Sequence, residues 1–394
     1  MNDAARRRAY QMPRLLSQGF RPLFLAAAVW AALSQAIWLG TLVGGVALPT
    51  GFDPVAWHIH EMMFGFVVAT IAGFMLTAIP NWTGRLPVRG VPLLLLVTAW
   101  LAGRFAIAAS GLIGTGPALA LDISFLGMFL VIVTRELVAG RNWRNLPMAA
   151  ALAVLTASNF GMHAEVAGWF DLGGASWRLA LAVVVFLISL VGGRIIPSFT
   201  RNWLAKNTRS SAPAAFGPVD WLAHGTTAAA LATWTFAPDL PATGAALLAA
   251  GVLQGARLLR WRGLRARAEA LVLVLHVAYV WGPAGLCLLG ASILLPGLSP
   301  MLATHALTIG LIGGMILAVM TRATLGHTGR QLHADGPTVA IYALVNLAAL
   351  ARIAAELLPE RWFELINISG AAWIGAFALF SLVYGRYLLG ARPG

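Results

Sequence analysis

Apolar runs of about 20 residues, the length a helix needs to cross the hydrocarbon of a bilayer, recur along the whole chain between short polar connections. They predict twelve spans, at 19–42, 60–80, 90–111, 114–134, 146–166, 177–197, 217–236, 242–259, 269–292, 298–321, 337–358 and 366–388. The connections leave no room for a separate soluble domain, and no internal repeat or low-complexity tract stands out. The pattern therefore predicts an all-α polytopic membrane protein, a single integral membrane domain over 1–394.

Composition agrees. The chain is 59% hydrophobic and 10% charged, with a mean hydropathy of +0.79, whereas soluble domains carry about a quarter charged residues. Cys287 is the lone cysteine. It excludes a disulfide scaffold, a Cys-ligated zinc or iron–sulfur site, and covalent haem attachment through a cysteine pair.

Twenty-seven Lys and Arg against 14 Asp and Glu give a net charge of +13, which in a soluble protein would point to nucleic acid. Topology sorts that charge differently. With both termini cytoplasmic, all the basic residues except Arg104, Arg178, Arg352 and Arg361 fall on the cytoplasmic side, beginning with Arg6, Arg7, Arg8, Arg14 and Arg21. That set also takes in Arg209 and the run Arg257, Arg260, Arg262, Arg265 and Arg267. This is the positive-inside pattern, and it removes nucleic acid as a partner. The first apolar run is too long for a signal-peptide core, so no cleaved leader is expected.

Arg178 and Arg361 lie near outer interfaces, where snorkelling accounts for them. Arg104 and Arg352 lie deeper and need an anion. One reading pairs them with Asp122 or Glu356; the other makes them a clamp for anionic groups such as haem propionates. The histidines collect in an outer layer: His58 and His60 at the start of span 2, His163 at the end of span 5, His305 two turns into span 10. His276 and His224 lie deeper from the opposite side, and His327 and His333 follow span 10. Neutral imidazole suits iron and copper in an apolar bundle; a lone buried histidine also serves as an ordinary helix contact, the reading that fits His224 and His333. His58 and His60, two residues apart, do not share a helical face. Glu61 beside them is a candidate proton carrier or outer-sphere acceptor, or a solvated carboxylate at the helix entry. Met62 and Met63 read as core filling. Gly192, Gly193 and Pro197 predict a kink or an end to span 6.

Three stretches carry a resemblance: Trp57 to Gly84, WHIHEMMFGFVVATIAGFMLTAIPNWTG; Gly192 to Trp203, GGRIIPSFTRNW; and His305 to Arg330, HALTIGLIGGMILAVMTRATLGHTGR. Together they resemble the NnrS family of twelve-span bacterial membrane proteins. The resemblance implies haem and copper, an inner-membrane location, and a link to nitric oxide metabolism and nitrosative stress. The family's histidines fall on His58, His60, His305 and His327, with His163 and His276 as further matches. By fold-level analogy, twelve helices with His-bound haem also resemble the main subunit of haem–copper oxidases, although their paired adjacent histidines for copper are missing here.

The expectation is a redox protein that binds or reduces nitric oxide at a His-ligated metal. Its cofactors would be non-covalent haem b and, as a second option, copper. His58, His60 and Glu61 would form the reacting centre, and His163, His276, His305, Arg104 and Arg352 would hold the cofactor. His327 lies too far along the same helix to share a metal with His305. The electron donor, a quinol or a cytochrome, is left open. A twelve-span transporter and a haem-based sensor without turnover are the alternatives.

Overall fold

Helix starts follow from proline placed behind a side-chain cap. Asp53 accepts from the backbone N–H groups of Val55 and Ala56 at 3.0 Å, and Pro54 opens the helix behind it. Ser299 before Pro300, and Asp335 before Gly336 and Pro337, repeat the device. Proline costs nothing there, because the first N–H groups of a helix have no intrahelical partner. The computed structural model describes residues 13–207 and 212–392. Arg6, Arg7, Arg8 and Arg209 lie outside the described residues.

Twelve long helices stand at the twelve expected positions among the described residues. They are α1 (Phe20–Gly44), α2 (Pro54–Thr83), α3 (Val91–Ala108), α4 (Thr115–Ala139), α5 (Leu146–Val166) and α6 (Ala175–Asn207). Then follow α7 (Pro218–Phe236), α8 (Pro241–Leu259), α9 (Ala270–Leu294), α10 (Pro300–His327), α11 (Gly336–Leu357) and α12 (Pro359–Leu389). The fold is an all-α polytopic bundle.

Ten of these are long and apolar enough to cross a membrane; α5 and α7 are not among them. The difference from twelve has a chemical cause. α5 carries Ser158, Asn159 and His163, and α7 carries Asp220, His224 and Thr227, all buried. Side chains that face a polar interior lower the apolarity of the helix that bears them.

Other expectations shift. α2 starts before residue 60, which places His58 and His60 within its first two turns. Pro197 does not end α6, which continues to Asn207. Arg257, counted among the cytoplasmic-side charges, sits in the last turn of α8 and is fully buried.

By contacts the chain forms two compact units. Of the described residues, the first comprises 13–177, 324–330 and 381–392, and the second 178–207, 212–323 and 331–380. In the first, the Arg21 guanidinium on α1 donates to the carbonyls of Leu388 at 2.7 Å and Gly390 at 2.9 Å, tying down the end of α12.

An internal repeat emerges when helices are compared one by one, against the expectation that there is none. α2 and α10 each run from a capped proline to a histidine, His60 or His305. Each then switches to π-helix, over Glu61–Val67 or Ala306–Gly313, and returns to α. A left-handed glycine follows each, Gly84 at φ +70° and Gly329 at φ +75°. In one fixed register, His60, Gly65, Met75 and Thr83-Gly84-Arg85 fall on His305, Gly310, Met320 and Thr328-Gly329-Arg330. The same register puts Asp122-Ile123-Ser124 of α4 on Asn367-Ile368-Ser369 of α12. Gly65 packs against Trp30 of α1, and Gly310 against Trp281 of α9. Helices α2 and α10, with α4 and α12, thus follow one shared plan, and α1 and α9 each supply a tryptophan against its glycine. The middle four, α5–α8, keep its Ile-Pro-x-aromatic-Thr step, Ile79 to Thr83 on α2 and Ile196 to Thr200 on α6.

Candidate metal centre

The first unit buries a polar cluster contributed by α2, α3, α4 and α5. His60 is wholly buried, with Nδ1 at 3.1 Å from Glu61 Oε1 and Nε2 at 3.1 Å from Asp122 Oδ2. His163 Nε2 reaches the same Asp122 oxygen at 3.2 Å, and Asn159 Nδ2 donates to it at 2.8 Å. Arg104 NH1 donates to both Glu61 oxygens at 2.6 Å, and its NH2 donates to Asp122 Oδ1.

Local sequence explains the convergence. The π-helical stretch begins at Glu61, and π turns shift the facing of successive side chains. Gly65 has no side chain because one would collide: a Cβ there would lie 2.6 Å from Trp30 Nε1, 2.7 Å from Glu61 Oε2 and 2.8 Å from Arg104 NH1. Gly103 does the same for α4, since its Cβ would lie 2.9 Å from Asp122 Oδ1. Asn159 and His163 are four residues apart and share one face of α5. Phe52, from the connection between α1 and α2, packs on both rings, with its centroid 5.2 Å from His60 and 5.3 Å from His163.

Charge accounting gives the cluster its character. Two carboxylates face one guanidinium, an excess of one negative charge in a buried site. Buried charge is costly unless compensated. Two kinds of cation can balance it: a proton on His60, whose ring nitrogens both face carboxylate oxygens, or a metal ion. One ring nitrogen each from His60 and His163 and an Asp122 oxygen lie within 4.8 Å of one another, as a shared ion requires. Asn159 Oδ1, buried beside them, has no hydrogen-bond partner. Imidazole and carboxylate donors suit a first-row transition metal such as copper. A haem between the two histidines does not fit this arrangement. Their rings are 5.3 Å apart at 87° and share one carboxylate oxygen.

The family model for NnrS, described as NnrS protein, matches residues 14–392. The chain belongs to the NnrS family. No curated protein matches it significantly.

Of the residues singled out in this NnrS chain, His60, Glu61, Arg104 and His163 come together. His58 points elsewhere, stacked on Trp38 at a centroid distance of 4.6 Å. His327 packs against Phe20 at 5.5 Å, and its carbonyl accepts from Arg392. In the second unit, Thr200 Oγ1 donates to the Ile196 carbonyl and so accepts from His276 Nε2 at 2.8 Å. His305 Nδ1 donates to the Met301 carbonyl at 2.9 Å. Arg352 pairs with Glu356 at 2.6 Å, one turn on.

Asp122 entered the sequence reading only as a partner for Arg104, and Asn159 not at all. Their signal was available: an aspartate and an asparagine within apolar helices, the second on the face of His163.

Proposed function

We propose that this NnrS protein is an inner-membrane protein of nitric oxide metabolism or nitrosative-stress defence, with both termini cytoplasmic, whose reacting metal sits among His60, Asp122 and His163. The observation that carries the reading is the convergence of two imidazoles and a carboxylate, with one uncompensated negative charge, in an apolar bundle. A neutral diatomic gas enters such surroundings without a polar channel. Copper, when bound, supplies a one-electron couple and an open coordination position.

The chain's own groups do the rest. Arg104 fixes both carboxylates, so that Asp122 presents Oδ2 to the two histidines. Phe52 and Phe64 exclude water from the His60 ring. Glu61, bonded to His60 Nδ1, would hold the proton on that nitrogen and so leave the Nε2 lone pair free for a metal ion. Haem b belongs elsewhere in this reading. His305 donates its Nδ1–H to the Met301 carbonyl and keeps a lone pair on Nε2, so it is the residue that would hold the haem iron. A quinol or a cytochrome is the electron donor.

The test is metal analysis of protein purified in detergent and loaded with copper, with anaerobic optical spectra before and after nitric oxide. The reading expects stoichiometric copper in the wild type, lost in His60→Ala and His163→Ala. Haem is expected to persist in those two variants and to be lost in His305→Ala. Wild-type protein that takes up no copper sinks the metal centre. Nitric oxide bound but not consumed in the presence of reductant makes the protein a sensor instead.

A further inference from the structure

The second unit buries a polar cluster of its own, built from α6, α7, α8 and α9 and unused by the reading above. Arg257 on α8 is wholly inside. Its Nε donates to Asp220 Oδ1 at 2.7 Å, while Arg260 NH1 donates to Oδ2 of the same carboxylate at 3.1 Å. Arg257 NH1 donates to the Ser189 carbonyl at 3.0 Å and to Tyr279 OH at 3.2 Å. Gly193 on α6 makes this possible, because the guanidinium occupies the space a side chain at 193 would need.

Following the protons through the cluster identifies what is left over. Tyr279 OH donates to Gln254 Oε1 at 2.8 Å, and Gln254 Nε2 donates to Ser189 Oγ and Thr227 Oγ1, both at 2.8 Å. Ser189 Oγ therefore already accepts from Gln254, and from Arg257 NH1 at 3.3 Å. Its single hydrogen must go to His224 Nδ1, at 3.2 Å. That fixes the His224 tautomer with its proton on Nε2. Two buried donors then have no hydrogen-bond partner, His224 Nε2 and Arg257 NH2. They belong to side chains that meet at the same serine. Orphaned buried donors are rare and costly.

The charge here is opposite to that of the first unit. One carboxylate faces two guanidiniums, buried Arg257 and partly exposed Arg260, and the charge of Arg194 also reaches His224, which leaves an excess of positive charge. Asp220 caps the start of α7 as well, accepting from the Gly217 N–H at 2.9 Å, so it cannot turn away to balance another cation. Around His224 the walls are aromatic, with Phe186 at 6.1 Å and Phe216 at 6.2 Å.

We propose that this cluster binds a small inorganic anion through Arg257 NH2 and His224 Nε2. The excess of positive charge sets the sign of the ligand, two donors set the contacts, and the aromatic rings beside His224 keep the ligand small.

The test uses full-length protein in detergent, with chloride and nitrite as probes, followed by equilibrium dialysis and calorimetry. Saturable binding at one site per chain is expected. Arg257→Gln abolishes it. His224→Phe keeps an aromatic ring beside Phe186 and Phe216 but removes the donor, and weakens binding about tenfold, the worth of one hydrogen bond to a charged group. If Arg257→Gln fails to fold, His224→Phe decides alone. No saturable binding of either anion by the wild type, or wild-type affinity in His224→Phe, overturns the proposal.

Discussion

Replacing Arg104 by glutamine tests the charge accounting of the metal centre directly. The guanidinium faces Glu61 at 2.6 Å through both carboxylate oxygens and also bonds Asp122, with 3% of its side chain exposed. Removing one partner of a buried ion pair costs about 3–5 kcal/mol, because the other charge is stranded. Here two carboxylates are stranded, against a total stability that for a folded domain is on the order of 5–15 kcal/mol. Arg104→Gln is therefore expected to lose at least about 3 kcal/mol. Adding Glu61→Gln returns the cluster to a single excess negative charge. The double variant is expected to be more stable than Arg104→Gln alone, with a coupling of roughly 1–3 kcal/mol, as for residues in one network. Unfolding by denaturing detergent in mixed micelles, followed by tryptophan fluorescence, measures all four corners of the cycle. An Arg104→Gln protein within about 1 kcal/mol of wild type, or strictly additive effects, would refute the reasoning.

Other substitutions probe the surrounding structure. Gly65→Ala forces a methyl group into contact with Trp30, Glu61 and Arg104 and should cost about 1–3 kcal/mol, whereas Gly127→Ala on α4, with open space around it, should gain about 0.5–1 kcal/mol; thermal unfolding of the pair separates crowding from helix propensity. Arg21→Ala frees the last carbonyls of α12, and carboxypeptidase should trim its C-terminus faster than that of the wild type. Copper loading should release a proton into weakly buffered solution and weaken as pH falls, because His60 and His163 must be neutral to ligate; pH-independent uptake with no proton release would place the ion elsewhere.

The bundle was largely legible from the sequence because each helix is announced by its own apolar run, a local signal. The site was legible in part. His60, Glu61, Arg104 and His163 attract notice as polar groups in apolar surroundings, but their grouping depends on which faces of four helices meet. The burial of Arg257 was not legible for the same reason. One turn from a basic connection it reads as surface charge, and only the vacancy at Gly193, far away in sequence, turns it inward. The repeat stayed hidden because few side chains are shared between copies. What persists is the backbone plan, above all the π segment after a histidine.

That segment has a consequence for how such a site can change. A π turn holds an extra residue, so it acts as an insertion absorbed within the helix, rotating everything on one side of it by about 100° relative to the other. In α2 the break falls immediately after His60, between the end that carries chemistry and the end that packs through Gly73 and exits at Gly84. The two ends are phased independently. Losing one residue from 61–67 would swing His60 off Asp122 and leave the packing end in place. Each copy thus carries a joint at which its histidine can be re-aimed without rebuilding the bundle, and the carboxylates at 61 and 122 standing as Ala306 and Asn367 in the other copy show how far two sites on one plan can drift apart.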